Sequence, residues 1–260
     1  MRRIMSKIPD PFAPPPACSQ VSVVVPAQNE DENVVPLIEE IDKALNGFIE
    51  FEMVFVDDGS TDATWQRLQQ ARTRFPNLVI LRHAKGCGQS VAIRSGVKAA
   101  QYPWIATLDG DGQNDPADIP ALVKALNALA QNGQPVMMAG QRAKRRDTWL
   151  RRFSSRVANG VRQFLLNDAT PDTGCGLKLF PRQSFLDMAH FNHLHRFLPA
   201  MMIRQGGRVL SVPVNHRPRE RGISKYGLWN RLWVGIVDLF GVMWLMSRPM
   251  APKVTEVEGR

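Results

Sequence analysis

Two aspartates one residue apart carry the first chemistry in this sequence: Leu108-Asp109-Gly110-Asp111-Gly112-Gln113-Asn114-Asp115-Pro116, directly after the apolar run Trp104-Ile105-Ala106-Thr107. Their hard oxygens suit Mg²⁺ or Mn²⁺, and Gln113 adds a third polar ligand. Magnesium usually keeps waters and takes one or two carboxylates plus phosphate oxygens. An ion held by Asp109, Asp111 and Gln113 would neutralise charge on a departing diphosphate. The competing assignment is a polar turn capping the helix after Pro116. An EF-hand loop is excluded, because its glycine position holds Asn114 and its final glutamate position holds Pro120. Asp57-Asp58-Gly59-Ser60 is a second acidic turn, fit to accept hydrogen bonds from a base or ribose, or simply to cap a helix. Pro26-Ala27-Gln28-Asn29-Glu30 is a third.

The pattern around these turns says how they are positioned. Short β-branched runs (Val21–Val25, Phe51–Val56, Leu78–Leu81, Trp104–Leu108, Val136–Ala139) alternate with helical spacing over Asn33–Leu45, Thr61–Arg74, Gln89–Ala100 and Pro116–Gln131. Such alternation predicts an α/β fold with a doubly wound, mostly parallel sheet. Ligands of such sheets bind beyond the carboxyl ends of the strands, where all three turns fall. Later come a helix over Trp149–Leu166, a turn over Asn167–Gly176, a strand at Leu177–Phe180, a helix around His195–Arg204 and a strand at Arg208–Val214. Gly86-Cys87-Gly88 reads as a tight turn before a helix, and His190, His193 and His195 as structural.

Composition sets the class. The 260 residues are 44% hydrophobic, enough for one substantial core. A net charge of +9 predicts anionic partners. Arg142–Arg152 is strongly basic, yet no aromatic stacking platform or recognised nucleic-acid motif accompanies it, so nucleic acid is not the expected partner. The three cysteines, Cys18, Cys87 and Cys175, are widely spaced and read as reduced thiols. Residues 1–20 are basic, then proline-rich, and read as a disordered lead-in. Residues 217–260 form a basic and apolar tail. Trp229, Leu232, Trp233, Ile236, Val237, Phe240, Met243 and Trp244 share an apolar face. As one helix Trp229–Ser247 is about 28 Å long. Asp238 interrupts it, and we expect an amphipathic helix lying in an anionic membrane interface, ahead of a core helix or a dimer contact.

Taken in order, Val23–Glu30, Val56–Asp62 and Asp109–Pro116 resemble family 2 glycosyltransferases, specifically the dolichol-phosphate mannose synthases and bacterial polyprenyl-phosphate glycosyltransferases. Gly140-Gln141-Arg142, Asp172–Gly176, His195–Ala200 and Arg219–Gly227 extend the resemblance across residues 21–227. It implies a GT-A fold over residues 21–216. It also implies an inverting transfer of sugar from a UDP- or GDP-linked donor to a polyprenyl phosphate. By this resemblance Pro26, Ala27, Glu30, Asp57, Asp109, Gln113 and Arg142 hold the nucleotide sugar. Asp109, Asp111 and Gln113 organise the metal. Arg142, Ser224 and Lys225 meet the acceptor phosphate, and Asp111, Asp172 and Arg221 are the expected catalytic residues. Gln28 stands where the family often has tyrosine, and the two terminal membrane helices of many bacterial members are not in this sequence. The expected location is the cytoplasmic face of the inner membrane, peripherally attached, with a homo-oligomer left open. Extension of a soluble saccharide and a non-enzymatic anion-binding module are the alternatives.

Overall fold

The computed structural model of the protein describes residues 17–129, 133–142, 166, 170–218 and 228–248, the last segment through its backbone alone over 228–234. The expected helix over Trp149–Leu166 apart from Leu166, nearly all of the basic cluster and the first part of the Asn167–Gly176 turn lie outside these residues. So do Arg221, Ser224 and Lys225.

Seven strands build one sheet: β1 (Gln20–Ala27), β2 (Glu50–Asp57), β3 (Leu78–Arg82), β4 (Trp104–Thr107), β5 (Val136–Arg142), β6 (Lys178–Pro181) and β7 (Arg208–Val214). Their spatial order is β3-β2-β1-β4-β6-β5-β7. Only β6 runs antiparallel to its neighbours β4 and β5. The helices are α1 (Val34–Leu45), α2 (Thr64–Arg72), α3 (Gln89–Ala99), α4 (Ile119–Asn127), α5 (Arg182–Leu186), α6 (Leu198–Arg204) and α7 (Leu228–Met246). The expected mostly parallel α/β architecture is what forms.

Period-2 alternation decides which side chains meet which layer. Val21, Val23 and Val25 pack against α1, α2 and α4, while Val24 and Val54 pack against α3, α5 and α6. Because both faces are covered, β1 reads as a continuous apolar run. Val34, Leu37, Ile38, Ile41 and Leu45 form one buried stripe on α1, the helical spacing seen in the sequence.

Several boundaries differ from expectation: the helix expected over Pro116–Gln131 runs Ile119–Asn127, the one around His195–Arg204 starts at Leu198, and three further differences have a visible cause. The helix expected from Thr61 begins at Thr64. Asp62 accepts the Thr64 N–H and hydroxyl, and the Ser60 hydroxyl instead accepts the Asn29 N–H, so the first residues are spent on the turn. Cys18, assigned to the lead-in, is buried and gripped by Asn127, which accepts the Cys18 N–H at 2.9 Å and donates to its carbonyl at 3.0 Å. Arg217, assigned to the tail, is ion-paired at 2.7 Å to both Glu40 and Asp115.

The order of strands creates the site. The chain moves outward from β1 to β2 to β3, then returns through α3 to β4 on the other flank of β1. That reversal opens a crevice at the carboxyl ends of β1 and β4. The turn into β6 comes back to the same crevice.

Candidate active site

The register carries the acidic turns to one edge. Ala27 pairs with Asp57 across β1–β2, and Val24 pairs with Thr107 across β1–β4. Gly110, between the paired aspartates, lies against the β1 backbone. A Cβ there would stand 2.7 Å from the Pro26 carbonyl oxygen, so only glycine permits the approach. Pro26, Ala27, Asp57 and Asp109 are thereby brought together as the sequence predicts.

Asp57 is fully buried. Its Oδ1 accepts the Ser60 N–H at 2.9 Å, and Oδ2 forms an ion pair with Arg82 Nε at 3.1 Å. The angle there is not that of a hydrogen bond, and Oδ2 has no hydrogen-bond partner among the described residues. A buried carboxylate oxygen in that state is suited to a ligand N–H or O–H. Glu30 sits at the mouth of α1, where its carboxylate accepts from Asn33 Nδ2 at 2.7 Å.

Asp109 is held from several sides. Gln89 Nε2 donates to its Oδ1 at 2.8 Å, and its own N–H donates to Asn114 Oδ1 at 3.2 Å. A Cβ on Gly176 would land on its carboxylate. Burial, then the charge of Asp111, push the Asp109 carboxyl up to about 6, against the opposing pull of Lys178, Gln89 and Arg142. Asp111 accepts the Gln113 N–H at 3.2 Å, while Gln113 Nε2 reaches the Arg217 carbonyl at 3.5 Å. That leaves the Gln113 amide oxygen as a hard donor. A half-buried carboxylate, raised by desolvation and then by the charge of a second, with a neutral oxygen beside them, fits a divalent cation.

Arg142, at the end of β5, donates to Asp172 through Nε at 2.6 Å and Nη2 at 2.7 Å. Both side chains are largely buried, 14% and 8% exposed. Asp172 therefore orients the arginine fork.

The sequence did not single out Lys178 for the site. It faces Thr107 in the β4–β6 register and is fully buried. Its ammonium donates to the carbonyls of Thr173, at 3.3 Å, and Cys175. Burial lowers its proton affinity, and Cys175 and Asp109 oppose that shift. With the Thr107 hydroxyl, which donates to the Gly176 carbonyl at 2.7 Å, it fastens the 172–176 turn beneath Asp109. The available signal was one charged residue inside an apolar strand. His195 was likewise missed as a site residue: its Nδ1 lies 2.8 Å from the Ser90 hydroxyl. Burial, then the charges of Arg196 and Lys178, press its imidazole down to about 3. A cavity of about 120 Å³ opens between Gln89, Asp109, Thr173, Lys178 and His195.

A crevice of paired carboxylates at the switch point of a mixed sheet suits a diphosphate held through a divalent cation, as in the GT-A glycosyltransferases. The profile of Glycosyl transferase family 2 matches residues 22–188, and the chain belongs to that family. It is 34% identical over 241 residues to a dodecaprenyl-phosphate galacturonate synthase from Rhizobium johnstonii, covering 90% of this chain and 69% of that protein. It is 34% identical over 210 residues to an undecaprenyl-phosphate 4-deoxy-4-formamido-L-arabinose transferase from Edwardsiella ictaluri, covering 80% of this chain and 63% of that one. Glucosyl-3-phosphoglycerate synthase from Mycobacterium tuberculosis, solved with Mg²⁺ and UDP, shares the fold at a TM-score of 0.63 and 15% identity, over 91% of this chain and 82% of its own. A mannosyltransferase from Pyrobaculum calidifontis, solved with GDP-Man and Mn²⁺, does so at 0.61 and 18%, over 94% and 68%.

Proposed function

We propose that this glycosyltransferase moves a sugar, with inversion, from a nucleotide-diphosphate donor to a polyprenyl phosphate. The observation that carries the reading is the convergence of Asp57, Asp109 and Asp111 at adjacent strand ends, with the Asp172-held Arg142 close by. The names of the curated relatives support the acceptor class.

Each residue has a derivable role. Asp57 Oδ2 accepts a hydrogen bond from the nucleoside. Gly110 keeps the crevice floor low enough for the donor to lie against β1. Asp109, Asp111 and Gln113 would hold Mg²⁺ or Mn²⁺, which supplies positive charge to the leaving diphosphate. Arg142 presents a planar fork to a phosphate. The cavity beside Lys178 and His195 offers the sugar a polar seat. An acceptor phosphate is already anionic near neutral pH. One of its oxygens attacks the anomeric carbon as the bond to the diphosphate breaks on the opposite face, so positioning and charge stabilisation dominate over base catalysis. Arg221, Ser224 and Lys225 complete the phosphate contacts in this proposal.

Helix α7 supports attachment at a membrane surface. Val237, Phe240 and Trp244 are 67%, 64% and 60% exposed and recur at helical spacing. Asp238 does not share that face: its Oδ2 meets His193 Nδ1 at 2.9 Å. Val242 is buried in a cluster with Phe197 and Ala200, so the opposite side of α7 is docked. Among the described residues, no helix is long and apolar enough to cross a membrane. Our reading is peripheral attachment on the cytoplasmic face, where nucleotide sugars are available.

The test is incubation with UDP- and GDP-sugars, Mn²⁺ or Mg²⁺ and a polyprenyl phosphate. Lipid-linked sugar should form with the wild type and not with Asp111→Ala. Full turnover by that variant would remove the metal assignment, and transfer to a free saccharide without lipid would replace the acceptor.

A further inference from the structure

The Gly86-Cys87-Gly88 turn is not used by the transfer mechanism, yet it closes over a second cluster of ligating side chains. Asp58 follows β2, His83 follows β3 and Cys87 lies in the turn before α3. One ligand atom from each lies within 4.8 Å of the others. The cysteine is exposed, so the cluster has an entry path.

The supporting bonds fix two of the three donors. Asp58 is buried, and its Oδ1 and Oδ2 accept the N–H groups of Cys87 and Gly88 at 2.9 and 2.7 Å. A carboxylate has about four acceptor sites, so capacity remains. His83 Nδ1 lies 2.7 Å from Asp58 Oδ1, and His83 Nε2 lies 2.9 Å from the Ser95 hydroxyl. An oxygen and a bare ring nitrogen are both acceptors and would repel at that separation. Something positive must lie between them: a ring proton, or a metal ion.

We propose that Asp58, His83 and Cys87 form a second cation site, for a soft divalent ion of the zinc class, separate from the all-oxygen site at Asp109 and Asp111. Thiolate, imidazole and carboxylate are the zinc donor set, and thiolate disfavours magnesium. Ser95 supplies the hydrogen bond on the far ring nitrogen that commonly orients a metal-bound histidine. On binding, the ring proton sits on Nε2 and is donated to the Ser95 hydroxyl. Nδ1 gives its lone pair to the metal, and the Cys87 thiol proton is released to solvent. Water completes the coordination. The exposed Cys87 side chain closes the set by rotation.

The consequence reaches the transferase site without belonging to it. A Cβ on Gly86 would stand 2.5 Å from Gln28 Nε2, so this turn packs directly on the loop after β1. A bound ion would join the ends of β2 and β3 to that turn and stiffen one wall of the donor crevice.

The test uses the full chain, metal-stripped, with no donor or acceptor, so it succeeds or fails independently of the transferase reading. One equivalent of Co²⁺ should produce a near-ultraviolet thiolate-to-cobalt absorption band, and Zn²⁺ should bleach it. Cys87→Ser and His83→Gln should lose the band. Ser95→Ala should weaken cobalt binding by about 10–100-fold. Asp111→Ala should retain the band, since that site has no sulfur. Absence of the band in the wild type, its persistence in Cys87→Ser, or its loss in Asp111→Ala would overturn the proposal.

Discussion

Arg142 and Asp172 form a two-point, largely buried ion pair, with Nε and Nη2 donating at 2.6 and 2.7 Å. The pair fixes the direction of the guanidinium, so Asp172, expected from the sequence to be catalytic, also holds Arg142 in place. Breaking a buried pair from one side typically costs about 3–5 kcal/mol, because the remaining charge is left uncompensated. Asp172→Ala should therefore lower the melting temperature and the transfer rate together. The double variant Arg142→Met/Asp172→Leu should recover stability but not activity. A thermal melt and an initial-rate assay on the three proteins check this; recovered activity in the double variant would remove Arg142 from the site.

Gly176 faces Asp109 so closely that any side chain would meet the carboxylate. Gly176→Ala should fold, because the displaced group is a side chain at the crevice edge, yet bind Mn²⁺ poorly. Displacements of about 1 Å in such sites can cost about 100-fold in rate. Mn²⁺ titration followed by electron paramagnetic resonance, beside a rate measurement, would show both losses; unchanged Mn²⁺ affinity would contradict the placement of Asp109 in the metal site.

His195 provides a pH signature. Its imidazole, pressed down to about 3, binds fewer protons when folded than when unfolded, where the ordinary value is 6.5. Stability from this group is complete above pH 6.5 and falls progressively as pH drops toward 3. Asp109, pushed up to about 6, works in the opposite sense: it binds more protons when folded, so stability falls as pH rises from about 4 to 6. His195→Gln should therefore lose less stability than the wild type between pH 6.5 and 4. Urea melts at several pH values measure the difference, and parallel pH curves would refute the assignment.

The exposed stripe on α7 predicts lipid binding. Burying a large apolar side chain contributes about 1.5–3 kcal/mol, so Phe240→Ser/Trp244→Ser should weaken binding to anionic vesicles by tenfold or more. Sedimentation with phosphatidylglycerol vesicles would read it. Transfer to a short-chain, water-soluble prenyl phosphate should be nearly unchanged, because the stripe is exposed and the opposite side of α7 makes the contacts to the domain.

Much of the fold was legible because local patterns carry it. Continuous β-branched runs mark strands covered on both faces, and the spacing of Val34, Leu37, Ile38, Ile41 and Leu45 marks a helix with one buried side. Strand order, and the antiparallel insertion of β6, depend on pairings between distant segments, and no local period encodes them.

The acidic turns were visible because three of them fall at the ends of predicted parallel strands, although aspartate and glycine also serve as turn and cap residues. That Pro26, Asp57 and Asp109 share one crevice followed from the parallel alternation; that Lys178 underlies Asp109, Asp172 directs Arg142 and Asp238 turns inward to His193 did not. Cys87 shows the division most sharply. By spacing alone the cysteines fit no metal motif, since ligand spacing is informative only for ligands close in sequence. Residues 58, 83 and 87 meet because parallel strands β2 and β3 end at one level and the following turn folds back over them. The sequence determined the donors available, and tertiary structure, by closing those loops, decided which could act together.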